Sequence, residues 1–395
     1  MSKFHRLYTG EGGIDFIGRT RLWYWITAVL LVVSIGAIGV RGFDLGIDFE
    51  GGTKLNMPAA ELSTEAVGET FSEATGVTPE LVQIVGAGDT RTLEIKSQRL
   101  SDEQIAEARR SIFEEFHPKD AHGTPSPDAI GDSTVSESWG DTITHRMVIA
   151  MIAFLALAFV YIALRLQREM AVAAMLALLV DAVVIAGIYA LFGFEVTPAT
   201  VIGLLTVLAF SIYDTVIVFD KVRENTEGLK GSFRSTYAEE ANLAVNQTVM
   251  RSISTSVISA LPIIALMIVA VWMMGVGTLK DLALIQLIGV VEGVFSSIFL
   301  ATPILVSLMS RRKDIRKHAE GVAKRRQGIL DDEAAAEARR ELAASGETSD
   351  FAPARGANAH LSVSTSDPMS ETSPRPGTPG TPGVTGVSWR PNQRR

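Results

Sequence analysis

Three ionisable side chains interrupt stretches of this sequence that are otherwise greasy enough to cross a bilayer. Asp214 lies within residues 201–219 (VIGLLTVLAFSIYDTVIVF), Asp181 falls near the middle of residues 170–192, and Arg251 opens the run RSISTSVISALPIIALMIVAVW. A charge in hydrocarbon is expensive, so such groups turn toward the interior of a helix bundle, pair with one another, or mark the path of an ion or proton. An acid and a guanidinium carried by neighbouring helices form a proton-responsive pair. Approach of the cation favours the ionised acid and separation in a dry place favours the protonated one, so a pair that parts and rejoins loads and releases a proton. Asp214 and Arg251 are the candidates for that pair, with Asp181 as a further relay position. At 1.5 Å per residue Asp214 sits roughly 10 Å along its helix from Lys221, inside the apolar slab. The competing readings are a static ion pair for Asp214 and, for Arg251, a long arm that snorkels to the nearer headgroups. Thr248, Ser252, Thr255 and Ser259 recur at helical spacing and give the Arg251 helix a hydroxylated face suited to helix contact or to a water path. Glu292, in the last apolar run, reads as an acid that pairs with a polar neighbour or as a local proton site.

The elements that must position these groups are six apolar runs, at residues 22–40, 147–164, 170–192, 196–219, 252–271 and 282–309. Each is about the 20 residues that a single crossing needs, and their length predicts helices rather than barrel strands. The first is too long for a secretory signal and lacks a small-x-small cleavage site, so it is expected to be retained. Arg19, Arg21, Arg165, Arg168, Arg311, Arg312, Lys313, Arg316 and Lys317 all flank span ends on one side. That side is expected to be cytoplasmic, which puts both termini inside. The loop at 43–144 then lies outside; with about 20 acidic and about 7 basic residues it has the charge bias of a translocated segment.

That loop is long enough to fold on its own. A strand at 52–57, a helix at 64–74, strands at 81–85 and 91–96, a helix at 102–116 opened by a Ser101/Gln104 capping box, and a strand at 134–139 give the order βαββαβ, the ferredoxin-like split βαβ. The paired glycines of GIDFEGGT permit positive φ and close backbone approach where the chain leaves the membrane. The fold class expected is a polytopic α-helical membrane protein: six transmembrane helices, one extracytoplasmic α+β domain, and a disordered C-terminal tail. The boundaries are a cytoplasmic N-terminus at 1–21, the first helix at 22–42, the outer domain at 43–144, helices two to six at 145–310 and a largely disordered cytoplasmic tail at 311–395. The tail ends in a Ser/Thr/Pro/Gly-rich segment that cannot bury a core, preceded by a charged stretch at 331–344 with helical character.

With 395 residues, 47% of them hydrophobic, and a net charge of −8 averaged over both sides of a membrane, overall charge says little about partners. Cysteine is absent, and the six histidines are scattered without metal spacing. No phosphate-binding Gly-x4-Gly-Lys-Ser/Thr loop occurs, so nucleotide chemistry is set aside and an enzyme is not expected. The basic run after the last span reads as a topology signal that also attracts anionic membrane lipid, and no nucleic-acid partner is expected.

Several stretches resemble the SecF branch of the SecD/SecF protein-export family, within the RND superfamily. They are Gly13–Phe16, Gly46-Ile47-Asp48-Phe49-Glu50-Gly51-Gly52-Thr53, the run SIYDTVIVFDKVREN at 211–225, NQTVMRSISTS at 246–256 and SSIFLATP at 296–303. Their order and their placement relative to the spans make the combination specific over roughly residues 11–310. The resemblance implies a membrane subunit in the cell inner (plasma) membrane that pairs with SecD, associates with the SecYEG channel and uses the proton motive force, without a cofactor, to assist exported polypeptides. It implies a proton-conducting role for Asp214 and Arg251, and makes Gly46, Asp48, Phe49, Gly51 and Gly52 the family motif after the first span. Asp181 stands where the family often carries a His-Asp pair; here Val180 precedes it. Two rival readings are a proton-coupled small-molecule efflux subunit and a scaffold that titrates no proton.

Overall fold

Backbone amides deprived of water must pair within their own segment, and all six apolar runs are accordingly helical. The computed structural model describes residues 14–59, 62–86, 88–120, 123–274, 277–328 and 340, so the expectations for the tail at 331–344 and beyond fall, Arg340 apart, outside the described residues. In chain order the elements are α1 (Thr20–Arg41), β1 (Asp44–Leu45), α2 (Ile47–Glu50), β2 (Gly52–Pro58), α3 (Thr64–Thr75), β3 (Leu81–Val85), β4 (Thr92–Ser97), α4 (Asp102–Phe116) and β5 (Gly131–Val135). They continue with α5 (Glu137–Arg165), α6 (Arg168–Phe192), β6 (Glu195–Val196), α7 (Pro198–Thr226), α8 (Tyr237–Ile268), α9 (Gly277–Ser296), α10 (Thr302–Ser310) and α11 (Lys313–Arg326). Among the described residues, six helical segments are long and apolar enough to cross a membrane: α1, α5, α6, α7, α8 and the α9–α10 pair.

The helices outrun the greasy stretches that announce them. α5 begins at Glu137 because Ser136 caps it through the Trp139 amide, and α8 begins at Tyr237 because Thr236 and Glu239 form a capping box. Hydropathy marks where a helix meets lipid, whereas capping residues mark where the helix starts. Arg251 therefore stands in the body of a 32-residue helix rather than at its opening.

Outside the bundle, β2 to β5 make a four-stranded antiparallel sheet in the order β3-β4-β2-β5. Leu55, Met57, Leu93 and Ile95 point to one face of it and bury Val67 and Phe71 of α3 with Ile105, Ala108 and Ile112 of α4. The Ser101/Gln104 capping box opens α4 as expected. The last strand is Gly131–Val135, several residues earlier than the expected 134–139, because the Ser136 cap commits residues 137–139 to α5.

This outer unit is tied to the bundle by backbone as well as charge. β1 pairs in parallel with β6, and the Gly46 amide donates to the Val196 carbonyl at 2.9 Å. Lys54 of β2 reaches Glu195 at 3.2 Å. Burial alone would lower its ammonium, but Glu195, Glu94 and Asp281 outweigh that and hold it above the ordinary lysine value. Thr90 Oγ1 donates to the Val271 carbonyl at 3.3 Å, in the π-helical turn Val269–Met274 that follows α8. On the opposite side, α11 is docked rather than trailing: Asp314 meets Lys230 at 2.8 Å, Arg312 meets Glu169 at 3.0 Å, and the His318 ring stacks on Phe233. Burial pushes the Asp314 carboxyl up, yet Lys230 and Arg312 beside it leave it below the usual range. The segment just ahead of α1 is clipped to α8 as well, since Asn242 accepts from the Phe16 amide at 2.8 Å and Asn246 from the Ile14 amide at 3.1 Å.

Small residues set how closely the bundle helices approach. α9 carries Gly289 and Gly293 one turn apart, a small-xxx-small face, against Val207 and Ser211 of α7. A Cβ built on Gly289 would lie 2.3 Å from a Val207 methyl, and one on Gly187 of α6 would lie 2.1 Å from Ser34 of α1. Gly289→Val should therefore force α9 away from α7 and cost about 1–3 kcal/mol. The check is the unfolding transition in detergent, expected lower than for the parent chain; an unchanged transition would mean that this contact does not set the spacing.

Candidate functional site

α7 brings Asp214 into the bundle with 2% of its surface accessible. Its two carboxylate oxygens accept from hydroxyls on two other elements: Ser252 Oγ of α8 at 2.7 Å and Ser297 Oγ at 2.5 Å. The two donors come from different segments, so the Asp214 carboxyl group ties α7, α8 and the turn after α9 together. No arginine or lysine pairs with Asp214 among the described residues.

Ser297 is placed by a π-helical turn, Ser297–Ala301, between α9 and α10. Its cause is local. Pro303 has no amide proton to offer the carbonyl of Phe299, and its ring crowds that carbonyl, so the helix widens by a residue. Thr302 Oγ1 donates back to the Ser297 carbonyl at 3.2 Å, partly repairing the ladder. The widened turn aims Ser297 at α7 while Ser296 before it faces α6.

One turn before Asp214 on the same face, Ser211 Oγ donates to Asp181 Oδ2 of α6 at 2.5 Å. Asp181 is fully buried and also interacts with Ser296 and Glu292 of α9. The result is a buried polar seam through the meeting of α6, α7, α8 and α9: Ser252, Asp214 and Ser297 at one end, Ser211, Asp181, Ser296 and Glu292 at the other.

Arg251 is not part of it. The residue next to Ser252 points about 100° away around the helix. Its side chain is exposed, at the rim of a hollow of about 400 Å³ shared with Asp220, Lys221, Arg223, Glu224, Glu227 and Thr248. The two members of the candidate pair, Asp214 and Arg251, do not touch here: the carboxyl group is satisfied by hydroxyls, and the guanidinium lies on a face of α8 that the other described residues leave open. That face also carries exposed Ile253, Val257, Ile258, Leu261 and Ile264. Of the hydroxylated face expected on α8, Thr248 and Ser252 are buried and Thr255 and Ser259 half-buried. Sequence reasoning missed Ser297 as a partner of Asp214; the signal available was Pro303, six residues on, which predicts a disturbed turn.

The glycine motif sits where the outer domain meets the membrane helices. Gly51 (φ 79°) and Gly52 (φ 134°) adopt backbone conformations that disfavour side chains, and a Cβ on Gly51 would lie 2.8 Å from the Glu137 amide nitrogen. Gly46 is pressed against β6, Phe49 is buried, and its carbonyl packs against Gly140 at the start of α5. Asp48 borders the hollow that also holds Lys54, Glu195 and Asp281; burial pushes its carboxyl above the ordinary value, with Lys54 pulling against that. The motif is a joint: two glycines let the first strand leave α2 directly beneath the start of α5.

Residues 36–60 match the family model for the SecD/SecF GG motif, and residues 118–311 match that for the protein export membrane protein SecD/SecF, C-terminal. The protein translocase subunit SecF of Mycobacterium tuberculosis (strain ATCC 25618 / H37Rv) is 53% identical over 321 residues, which are 81% of this chain and 73% of that one. The chain belongs to the SecF family of protein translocase subunits. SecF membership and the six apolar helices make it a multi-pass membrane protein concerned with protein translocation. The protein translocase subunit SecDF of Thermus thermophilus is 30% identical over 303 residues, covering 76% of this chain but 39% of its own length. The crystal structure of SecDF from the same source, described as a translocon-associated membrane protein, superposes with a TM-score of 0.65 at 30% identity, over 75% of this chain and 39% of that one. The chain thus spans well under half of the SecDF polypeptide.

The geometry separates two ways of holding Asp214. Ser252→Ala and Ser297→Ala should each cost about 1.5–3 kcal/mol, the worth of a hydrogen bond to a charged group, whereas Arg251→Ala, on an open face, should stay within about 0.5 kcal/mol. Denaturant unfolding in mixed micelles measures all three. A loss for Arg251→Ala equal to that for Ser297→Ala would mean that the guanidinium, not the hydroxyls, secures the acid.

Proposed function

We propose that this chain is one half of a proton-driven export complex: paired with a SecD partner and docked on the SecYEG channel, it converts inward proton movement at Asp214 into motion of the outer domain, which holds and releases the exported polypeptide. The observation that carries this reading is the buried Asp214 carboxylate, bound by serine hydroxyls of α8 and of the π turn with no cation beside it among the described residues.

The chemistry follows from what each state can accept. Ionised Asp214 takes a hydrogen bond on each oxygen, one from Ser252 and one from Ser297. A proton arriving on either oxygen turns that acceptor into a donor, and the hydroxyl facing it must rotate or withdraw. Protonation therefore loosens α7 from α8 or from the π turn, and deprotonation draws them together. α8 ends in the turn that contacts Thr90, and β6 follows α6 directly into the ladder with β1, so shifts among these helices reach the outer sheet along two short mechanical routes. The strand order β3-β4-β2-β5 supports assigning that sheet to the ferredoxin-like class. It is a stiff unit that moves as a body.

Arg251 takes its place in this scheme through the partner. Its exposed position on the apolar open face of α8 suits a contact with the SecD half, and the SecDF relative carries more than this chain's equivalent in one polypeptide. Placement in the cell membrane with both termini cytoplasmic belongs to the same proposal and rests on the flanking arginines and lysines; so does working without a cofactor, which rests on a sequence with no phosphate-binding loop and no metal-ligand spacing.

Asp214→Asn keeps the shape of the side chain and removes the titration. In inverted membrane vesicles carrying the partner subunit, it should reduce the gradient-stimulated part of export at least tenfold and leave co-purification of the partner unchanged. Export that keeps its full response to the gradient would contradict the proposal and favour a scaffold.

A further inference from the structure

The seam contains two further acids, Asp181 and Glu292, that the reading above does not use. Glu292 lies on α9 between Gly289 and Gly293, and with Ser296 these residues share the face turned toward α6 and α7. The glycines bring the α9 backbone close to α7, which draws Glu292 inward to Asp181. Asp181 is fully buried; its Oδ2 is taken by Ser211, while its Oδ1 has no hydrogen-bond partner. Glu292 Oε2 is buried and unpartnered, and so is the hydroxyl of Ser296, a residue 1% exposed that interacts with Asp181.

Two carboxylates are both acceptors and cannot satisfy each other while both are ionised. One proton placed between them makes a carboxyl–carboxylate hydrogen bond and satisfies both orphaned oxygens at once. Ser296 has a single proton to give and can relieve only one of the two orphaned oxygens, which leaves the other acid unsatisfied. α7 faces the pair with Ser211 and, one turn on, Asp214; the π turn offers Ser297; no lysine or arginine is among the groups acting on either acid. From α1, the contacts of Ser34 with Gly187 and of Arg41 with Gly193 fix a parallel register that brings Thr27, buried and likewise unpartnered, level with residue 180. A metal cage is not built here: no group of three or more acidic or histidine side chains gathers among the described residues, and Ser211 spends its proton on Asp181.

We propose that Asp181 and Glu292 form a carboxyl pair that holds one proton between them, a second protonation site of the bundle, separate from Asp214 and joined to it through Ser211 and the adjacent Ser296 and Ser297. The proton enters as a hydron from water and leaves as one, with no bond made or broken beyond O–H. Ser296 and Ser297, consecutive in the chain, face the two sites respectively, so a change at either alters the turn that both share.

The test is infrared difference spectroscopy of the full chain in nanodiscs, titrated through neutral pH in H₂O and D₂O. The parent protein should show a protonated-carboxyl stretching band that shifts on deuteration and that persists in Asp214→Asn. With Asp214→Asn already in place, so that no band can come from that site, Glu292→Gln supplies an amide donor to Asp181 in place of the shared proton and should abolish the band; Asp181→Asn in the same background, which should do the same, decides the matter if Glu292→Gln does not fold. A band missing from the parent protein, or retained in these variants, overturns the proposal. So does a band removed by sodium at constant pH, which would make the site a cation site. Because the readout does not involve export, its failure leaves the Asp214 reading standing, and failure of that reading leaves this one.

Discussion

A carboxylate that neither bulk water nor a cation reaches must be satisfied by donors that its own fold supplies, and the arrangement of this bundle follows from that demand at Asp214. The donors are hydroxyls of short side chains, so the helices that bear them have to come close. Glycines at 289 and 293 bring α9 against α7, the hydroxylated face of α8 supplies Ser252, and Pro303 opens the π turn that aims Ser297. Each of these features is unremarkable by itself. Together they place a titratable group where, in the function proposed, a single proton would change how many helices it holds.

The same economy gives the proposed protonation two routes to the outer sheet. Two connections leave the seam's helices for the outer sheet, the β1–β6 ladder and the Thr90 contact with the turn after α8. The paired glycines of the motif after α1 fix the sheet's exit directly against the start of α5, which leaves little slack between membrane and domain. Ion pairs around Lys54 add to the joint on the outer side, and the docking of α11 through Asp314 and Arg312 braces the opposite end. A bundle held at both ends is suited to transmit a local repacking rather than absorb it.

Much of this was legible in the sequence. Hydropathy located the six spans, capping chemistry located α4 to the residue, and the depth of Asp214 marked it as exceptional before any neighbour was known. Most helices and strands between 52 and 135 lie where alternation and turn signals put them, but the short α2 inside GIDFEGGT and the β1–β6 ladder were not read, and the last strand was placed too late because Ser136 reads as strand by composition and as helix cap by context. Asp214 and Arg251, the candidate pair, are apart here for a definite reason. Charges were matched by their nearness to one loop, but partners in a bundle are decided by azimuth around each helix, and one residue's rotation separates Ser252 inside from Arg251 outside. The π turn was invisible to periodicity because its residues are as apolar as their neighbours. Glu292 was noticed, though nothing in a single run of sequence could say that its neighbour is Asp181.

The absence of cysteine from the whole chain makes the most direct measurement simple. Single cysteines placed at Ser297, Ser252 and Arg251 can be challenged with a small, charged thiol reagent, in membranes holding the partner subunit, with and without an imposed proton gradient. The account predicts that Arg251→Cys reacts readily in the isolated chain, that Ser297→Cys and Ser252→Cys are protected at rest, and that the gradient opens them to the reagent. Equal labelling at all three positions regardless of the gradient would mean that Asp214 stands in water, and the buried carboxylate at the centre of the account would be lost.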